Sequence, residues 1–187
     1  MRVISGIFKG KKISLPSDKI TRPLKDITKE SIFNILIHSN KFSIEIKNSL
    51  ILDLFSGVGS FGIECISRGA QYVTFVENYN EVLKILRKNL SELKINDVYE
   101  IIEKDIIQDL NFQKFKNKFN IIFLDPPYKN KSLPDILDNI LKNRILSKDG
   151  VIILHRHVEE NEKYPENFKI LEKKKYGISK IIFGCQN

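Results

Sequence analysis

A chain of 187 residues with 42% hydrophobic and 29% charged residues is long enough to bury one substantial core and has the balance of an ordinary globular domain. No apolar run approaches the length of a membrane span, and the start, Met1-Arg2-Val3-Ile4-Ser5-Gly6, lacks the apolar core of a secretory signal. Two cysteines, Cys65 and Cys185, make neither a disulfide framework nor a metal-ligand spacing, so the expectation is a reduced, cytoplasmic, metal-free monomer with one domain over 1–187.

The net charge of +8 is unevenly placed. Residues 1–47 hold ten Lys and Arg against four acids, and the remaining 140 residues are close to neutral. A basic N-terminal module on a near-neutral body points to a polyanionic partner held at that end, with nucleic acid the leading candidate.

In chain order, residues 2–5 and 11–15 read as short strands around Phe8-Lys9-Gly10, making 1–24 a basic β-hairpin extension. Thr21-Arg22-Pro23 is a stop, and 25–38 is a helix with an apolar face built on Ile27, Ile32, Phe33, Ile35 and Leu36. From residue 50 the pattern becomes strand and helix in alternation. Strands are predicted at 50–54, 72–76, 99–103, 120–124 and 151–155, with helices at 61–68, 79–93 and 134–142. Residues 168–175 and 179–184 form a hairpin about Tyr176-Gly177. This alternation predicts an α/β fold: a mostly parallel sheet, helices on both faces and an antiparallel C-terminal hairpin.

Ligands of such sheets bind beyond the carboxyl ends of the strands, where the strand order reverses. The first strand runs into Asp53-Leu54-Phe55-Ser56-Gly57-Val58-Gly59-Ser60-Phe61-Gly62. Glycines 57, 59 and 62 form G-x-G-x-x-G, a turn that brings backbone close to a ligand at a helix N-terminus. Alone the pattern is weak, because dinucleotide enzymes share it. Glu77 closes the next strand and can accept hydrogen bonds from both ribose hydroxyls of an adenosine. A nicotinamide dinucleotide and S-adenosylmethionine both fit to this point. Asp53 discriminates, since a carboxylate is repelled by a pyrophosphate and attracted by the ammonium of a methionine moiety. Asp105, after the third strand, is equally suited to an adenine amino group and to capping a helix over 106–110.

The most specific stretch is Phe123-Leu124-Asp125-Pro126-Pro127-Tyr128. Two prolines end the strand and stiffen the corner. An exocyclic nucleobase amine is a poor nucleophile because its lone pair is delocalised into the ring. The Asp125 carboxylate and the Pro126 carbonyl can hold its two hydrogens so that the lone pair faces a sulfonium methyl group. Pro127 adds rigidity, and Tyr128 can stack on the base. His155 and His157 read as structural or solvated, and Phe8 and Tyr176 as candidates to assist a base leaving its stack, or as packing.

These segments, with the N-terminal "MRVISGIFKGKKISLP", the "TRPLKDITKESIFNIL" helix and the terminal "KYGISKIIF", resemble the RsmD family of bacterial 16S rRNA guanine-N2 methyltransferases over nearly the whole chain. The resemblance implies a seven-stranded Rossmann-like class I methyltransferase sheet, S-adenosylmethionine as methyl donor, and methylation of guanosine 966 in 16S rRNA or the assembling small subunit. Asp125, Pro126, Pro127 and Tyr128 match its catalytic motif. Asp53, Gly57, Gly59 and Glu77, with Phe55 and Asn78 beside them, match its cofactor pocket. Relatives often carry an acid after the fifth strand, where this chain reads Leu154-His155-Arg156-His157. Arg2, Lys9, Lys11 and Lys12 then serve to grip RNA phosphates, and Arg22 is a candidate partner for the cofactor carboxylate. The rivals are a DNA adenine-N6 or cytosine-N4 methyltransferase, a glutamine-N5 methyltransferase, a nicotinamide-dependent reductase and a non-catalytic RNA-binding module.

Overall fold

The computed structural model describes residues 1–17, 24–127 and 131–187. Its centre is one seven-stranded sheet: β1 (Leu50–Leu54), β2 (Tyr72–Glu77), β3 (Tyr99–Glu103), β4 (Phe119–Leu124), β5 (Leu146–His157), β6 (Phe168–Tyr176) and β7 (Ser179–Gln186). The order is β3-β2-β1-β4-β5-β7-β6, with the first five strands parallel and β7 antiparallel between β5 and β6. The order reverses between β1 and β4, which opens a crevice at their carboxyl ends.

Parallel strands covered on both faces read as continuous apolar runs, and Leu50–Leu54 and Phe119–Leu124 do so. On one face, Ile51, Phe123, Ile153 and Phe183 pack under α1 (Asp26–His38), α2 (Ser60–Ser67) and α3 (Asn80–Glu92). On the other, Leu52, Leu124 and Leu154 pack against α4 (Leu133–Lys142), a helix entered through Pro134. Phe61 of α2 stacks between Phe33 and Phe123, with ring centroids 5.3 and 4.1 Å apart, and so ties α1 and α2 to the strand that carries Asp125.

The β5 strand is longer than the expected 151–155 because it is paired on both sides, ending with His157 opposite Ser179 of β7. The N-terminal hairpin is shorter than the expected 2–5 and 11–15: one antiparallel bridge, Arg2 to Lys12, flanked by the bonds Val3 N–H to Lys11, Gly10 N–H to Val3 and Ile13 N–H to Met1. The backbone groups that would extend the ladder bond elsewhere: the N–H groups of Ile4 and Ser5 donate to the Glu64 carboxylate at 2.8 and 2.9 Å, and Ile7 N–H donates to the Ser67 carbonyl. Val3 and Ile13 are buried beneath, and Asn89 of α3 clasps the backbone of Ser14 and the carbonyl of Val58.

The Glu64 carboxylate is fully buried at the centre of this joint. It also accepts from Arg68 Nε at 2.9 Å and faces Lys29 Nζ at 3.7 Å, while Lys29 donates to the Arg2 carbonyl at 2.8 Å. Burial pushes the Lys29 ammonium below its ordinary pKa, against the pull of Glu64 and Asp26. Replacing Glu64 by Leu takes the carboxylate from buried Lys29, half-buried Arg68 and two N–H groups. It should cost about 3–5 kcal/mol, the penalty for leaving a buried ion without its partner. Urea denaturation checks the loss, and amide exchange at Ile4 and Ser5 shows whether the N-terminal segment is what comes free.

Candidate active site

Three of the predicted site residues lie at the ends of neighbouring strands. Asp53 is paired with Phe123, and Leu54 with Leu124, so Asp125 follows on the same face as Asp53. Leu124 is paired with Leu154, so the next register position sets His155 beside Asp125. Glu77 closes β2 on the other side of β1.

Asp53 is 1% exposed. Its Oδ2 accepts from Gly62 N–H at 3.0 Å in the first turn of α2, where a helix favours negative charge. Its Oδ1 is buried and has no partner among the described residues, as is true of the Ser60 hydroxyl. Burial raises the pKa of Asp53 well above the ordinary carboxylate range, opposed by the Gly62 N–H and reinforced by the nearby Asp125 and Glu77 carboxylates. Glu77 is itself tied to backbone, Oε2 to Gly57 N–H at 2.9 Å and Oε1 to the N–H groups of Asn78 and Tyr79. These bonds fasten the glycine loop to β2, fill both lone pairs of Oε1 and leave Oε2 a further one.

The glycines divide by role. Gly57 has φ +56° and nothing within 4 Å of where a Cβ would sit, so backbone there is open to a ligand. A Cβ on Gly59 or Gly62 would lie 2.4 Å from Leu86 or 2.2 Å from Phe75. Both let the helices close onto the sheet, a packing reason for glycine that Gly57 does not share. Phe55 turns the chain at φ +59° and packs on the α4 face. Asp105 caps the single turn after β3, with Oδ1 accepting from the N–H groups of Ile107 and Gln108, while Asn78 Nδ2 holds its Oδ2 at 2.8 Å. Of its two open roles the structure shows the cap, built on a turn and not a helix, and leaves Oδ2 a further lone pair. A cavity of about 330 Å³ lies beside this rim, between Ile106–Gln113 and Ser132, Asp135 and Asn139 of the α4 end.

Asp125 begins the proline corner, its N–H 3.4 Å from the Leu54 carbonyl. Its Oδ1 lies 2.7 Å from His155 Nδ1, so the structure brings the buried His155, expected to be structural or solvated, against Asp125. On the opposite face of β5, Arg156 is fully buried. Its Nη1 donates to the carbonyls of Pro126 and Pro127 at 3.3 and 3.4 Å, and its Nε to Glu162. Lys180, opposite Arg156 on β7, donates to the Glu160 carbonyl, and burial depresses its pKa. Sequence reasoning missed Arg156 as a brace. The available signal was a polar His-Arg pair continuing the apolar run Val151 to Leu154. His157 sits on the rim, 3.8 Å from Glu159.

Tyr128 and Arg22 lie outside the described residues. Arg2, Lys9, Lys11 and Lys12 are all exposed. The turn that carries Lys9 sits over Ser67, the carboxyl end of α2, which is about 11 Å of helix from the glycine loop at 1.5 Å per residue. Phe8 packs at that same far end, and Tyr176 packs against the α1–α3 side of the core.

The family model described as Conserved hypothetical protein 95 matches residues 1–184. The chain belongs to this family, the RsmD family. It is 35% identical over 176 residues to a protein of Buchnera aphidicola subsp. Baizongia pistaciae, covering 94% of this chain and 86% of the relative. It is 31% identical to one of Haemophilus influenzae, covering 95% and 90%. Both relatives are named ribosomal RNA small subunit methyltransferase D. An Escherichia coli structure, yhhF, named provisionally as a methyltransferase, superposes with a TM-score of 0.82 at 27% identity, covering 100% of this chain and 98% of its own. The RsmD-family sheet is that of the class I methyltransferases. No described helix is long and apolar enough to cross a membrane, and among the described residues no three His, Cys, Asp or Glu converge on a metal position.

Two outcomes check the electrostatics of the corner. A folded-state pKa raised above the unfolded value means that ionised Asp53 costs stability, a cost absent in acid and growing as pH rises. Asp53→Asn should therefore raise Tm at pH 8 and lose that advantage as pH falls toward 4, read by calorimetry. Arg156→Met should lose about 3–5 kcal/mol by stranding Glu162, and the Arg156→Met, Glu162→Met double variant should recover most of it in urea denaturation.

Proposed function

We propose that this RsmD-family protein transfers a methyl group from S-adenosylmethionine to the exocyclic N2 amine of a guanosine in 16S ribosomal RNA, at position 966 by family resemblance. The observation that carries this reading is the placement of Asp125. A carboxylate, two rigid prolines and the glycine loop meet at the one crevice the strand order creates. The names of the relatives support ribosomal RNA as the substrate.

The donor supplies a methyl carbon made electrophilic by its sulfonium. The residues present fit such a donor. Asp53 and Glu77, with Asp125 beside them, form a negative corner that favours a cation, and the unpartnered Asp53 Oδ1 and Ser60 hydroxyl can meet an ammonium and a carboxylate. Gly57 offers open backbone. Glu77 and the Asn78–Asp105 rim suit the adenosine hydroxyls and base edge.

Asp125 accepts one hydrogen of the target amine, and the Pro126 carbonyl accepts the other through the lone pair that Arg156 leaves to it. Both hydrogens are then held in the crevice and the nitrogen lone pair is turned toward the methyl carbon. The N–C bond forms as the C–S bond breaks, its electrons staying on sulfur, and one amine proton passes to Asp125. Tyr128 follows the corner in sequence and serves as the stacking platform for the base. Arg2, Lys9, Lys11 and Lys12 hold phosphates away from the reacting base, which positions RNA without reading its sequence.

The test is to incubate the protein with labelled S-adenosylmethionine and separately with small-subunit rRNA, ribosomal particles and DNA, then identify the modified nucleoside by mass spectrometry. N2-methylguanosine in the small-subunit RNA is expected; label in adenine, cytosine or protein selects a rival. Asp125→Ala should lower kcat at least about a thousandfold, as for loss of a main electrostatic element, with donor affinity within about threefold.

A further inference from the structure

The carboxylate that meets the amine is not held by its own strand. Asp125 is 19% exposed in its side chain, and a carboxylate on a short side chain at a strand end has more than one rotamer available. Methyl transfer needs one of its oxygens fixed, because a nucleophile about 1 Å out of place loses about a hundredfold in rate. The proline ring system stiffens the backbone beyond it but does not touch χ1 or χ2 of Asp125 itself.

We propose that His155 is the positioning residue for Asp125: it donates its Nδ1–H to Oδ1 and thereby leaves Oδ2 as the oxygen presented to the target amine. The proposal rests on the methyl-transfer reading above. The Nδ1 to Oδ1 distance is 2.7 Å, in the range of a charge-assisted hydrogen bond. A carboxylate only accepts, so the hydrogen lies on Nδ1 and the tautomer is fixed by the pair. Among the described residues no donor reaches Oδ2. The ring itself has little freedom: His155 is 6% exposed, sits within a strand paired on both sides, and has Ile181 of β7 opposite it. Asp125 and His155 are neighbours by register of β4 and β5, so the contact is built into the sheet and not into a loop. Arg156, the next residue, grips the carbonyls of Pro126 and Pro127 from the other face. The end of β5 thus holds both acceptors, the carboxylate through His155 and the carbonyl through Arg156.

An amide side chain tests this by the position of its N–H. In Asn the amide nitrogen is attached at Cγ, where His carries Nδ1; in Gln it lies one bond further out. His155→Asn should keep kcat within about threefold of the wild type, while His155→Gln and His155→Leu should lower it about 10–100-fold. The KM for S-adenosylmethionine and the Kd for RNA should stay within about twofold in all three, with folding checked by circular dichroism. Independently of activity, ¹⁵N NMR of the wild-type protein should show His155 as the Nδ1–H tautomer, with its resonance moving in Asp125→Ala. Equal kcat in wild type and His155→Gln, or an Nε2–H tautomer, overturns the inference. Guanosine methylation that persists undiminished in His155→Gln leaves the function intact and removes only the role of His155. Absence of any methylated guanosine in the wild type sinks the function, while the NMR result still decides the Asp125–His155 contact.

Discussion

Negative charge gathered where water is excluded is the constraint on which the rest of this molecule turns. Asp53, Glu77 and Asp125 stand at the ends of three strands, and the first is almost wholly buried. Burying a carboxylate is costly unless charge or hydrogen bonds compensate it. The protein supplies part of that compensation: one N–H from α2 to Asp53, three from the glycine loop and strand end to Glu77, and an imidazole to Asp125. What is left over is a site whose remaining deficit is positive charge. A donor that carries both an ammonium and a sulfonium would meet that deficit, and apolar side chains pack closely on both faces of the sheet around it.

The same device, a buried carboxylate satisfied by several donors, appears a second time for a different purpose. Glu64 lies on α2 and gathers the N-terminal segment, Lys29 and Arg68 into one joint. The basic surface is therefore rigidly attached to the helix that begins at the glycine loop. Phosphates bound by Arg2, Lys9, Lys11 or Lys12 would be held at a fixed distance from Asp125, which converts a non-specific electrostatic grip into a positional one.

Much of this was legible in sequence. Apolar runs at the strand spacing gave the sheet, and Asp53, Gly57, Glu77 and Asp125 announced themselves as polar or glycine residues ending buried strands. The rest depends on pairings that sequence does not display. Asp125 and His155 are 30 residues apart, and their contact follows only from the β4–β5 register. Arg156 reads locally as a surface base, because nothing in the chain says that two proline carbonyls and Glu162 will surround it. Gly59 and Gly62 look like loop glycines until Leu86 and Phe75 are seen against them. The N-terminal segments pair over Met1–Val3 and Lys11–Ile13, and only Ile4, Ser5 and Ile7 turn their N–H groups to α2, which no local signal shows.

The direct test of the charge argument is calorimetric titration of S-adenosylmethionine into the wild type and Asp53→Asn proteins at neutral pH, in buffers of differing ionisation heat. Burial keeps the pKa of Asp53 high, and a bound cation lowers it. The account predicts weaker binding to the variant, with any proton released on binding to the wild type absent from it. Binding of equal affinity to both proteins, with no proton exchanged by either, would contradict it.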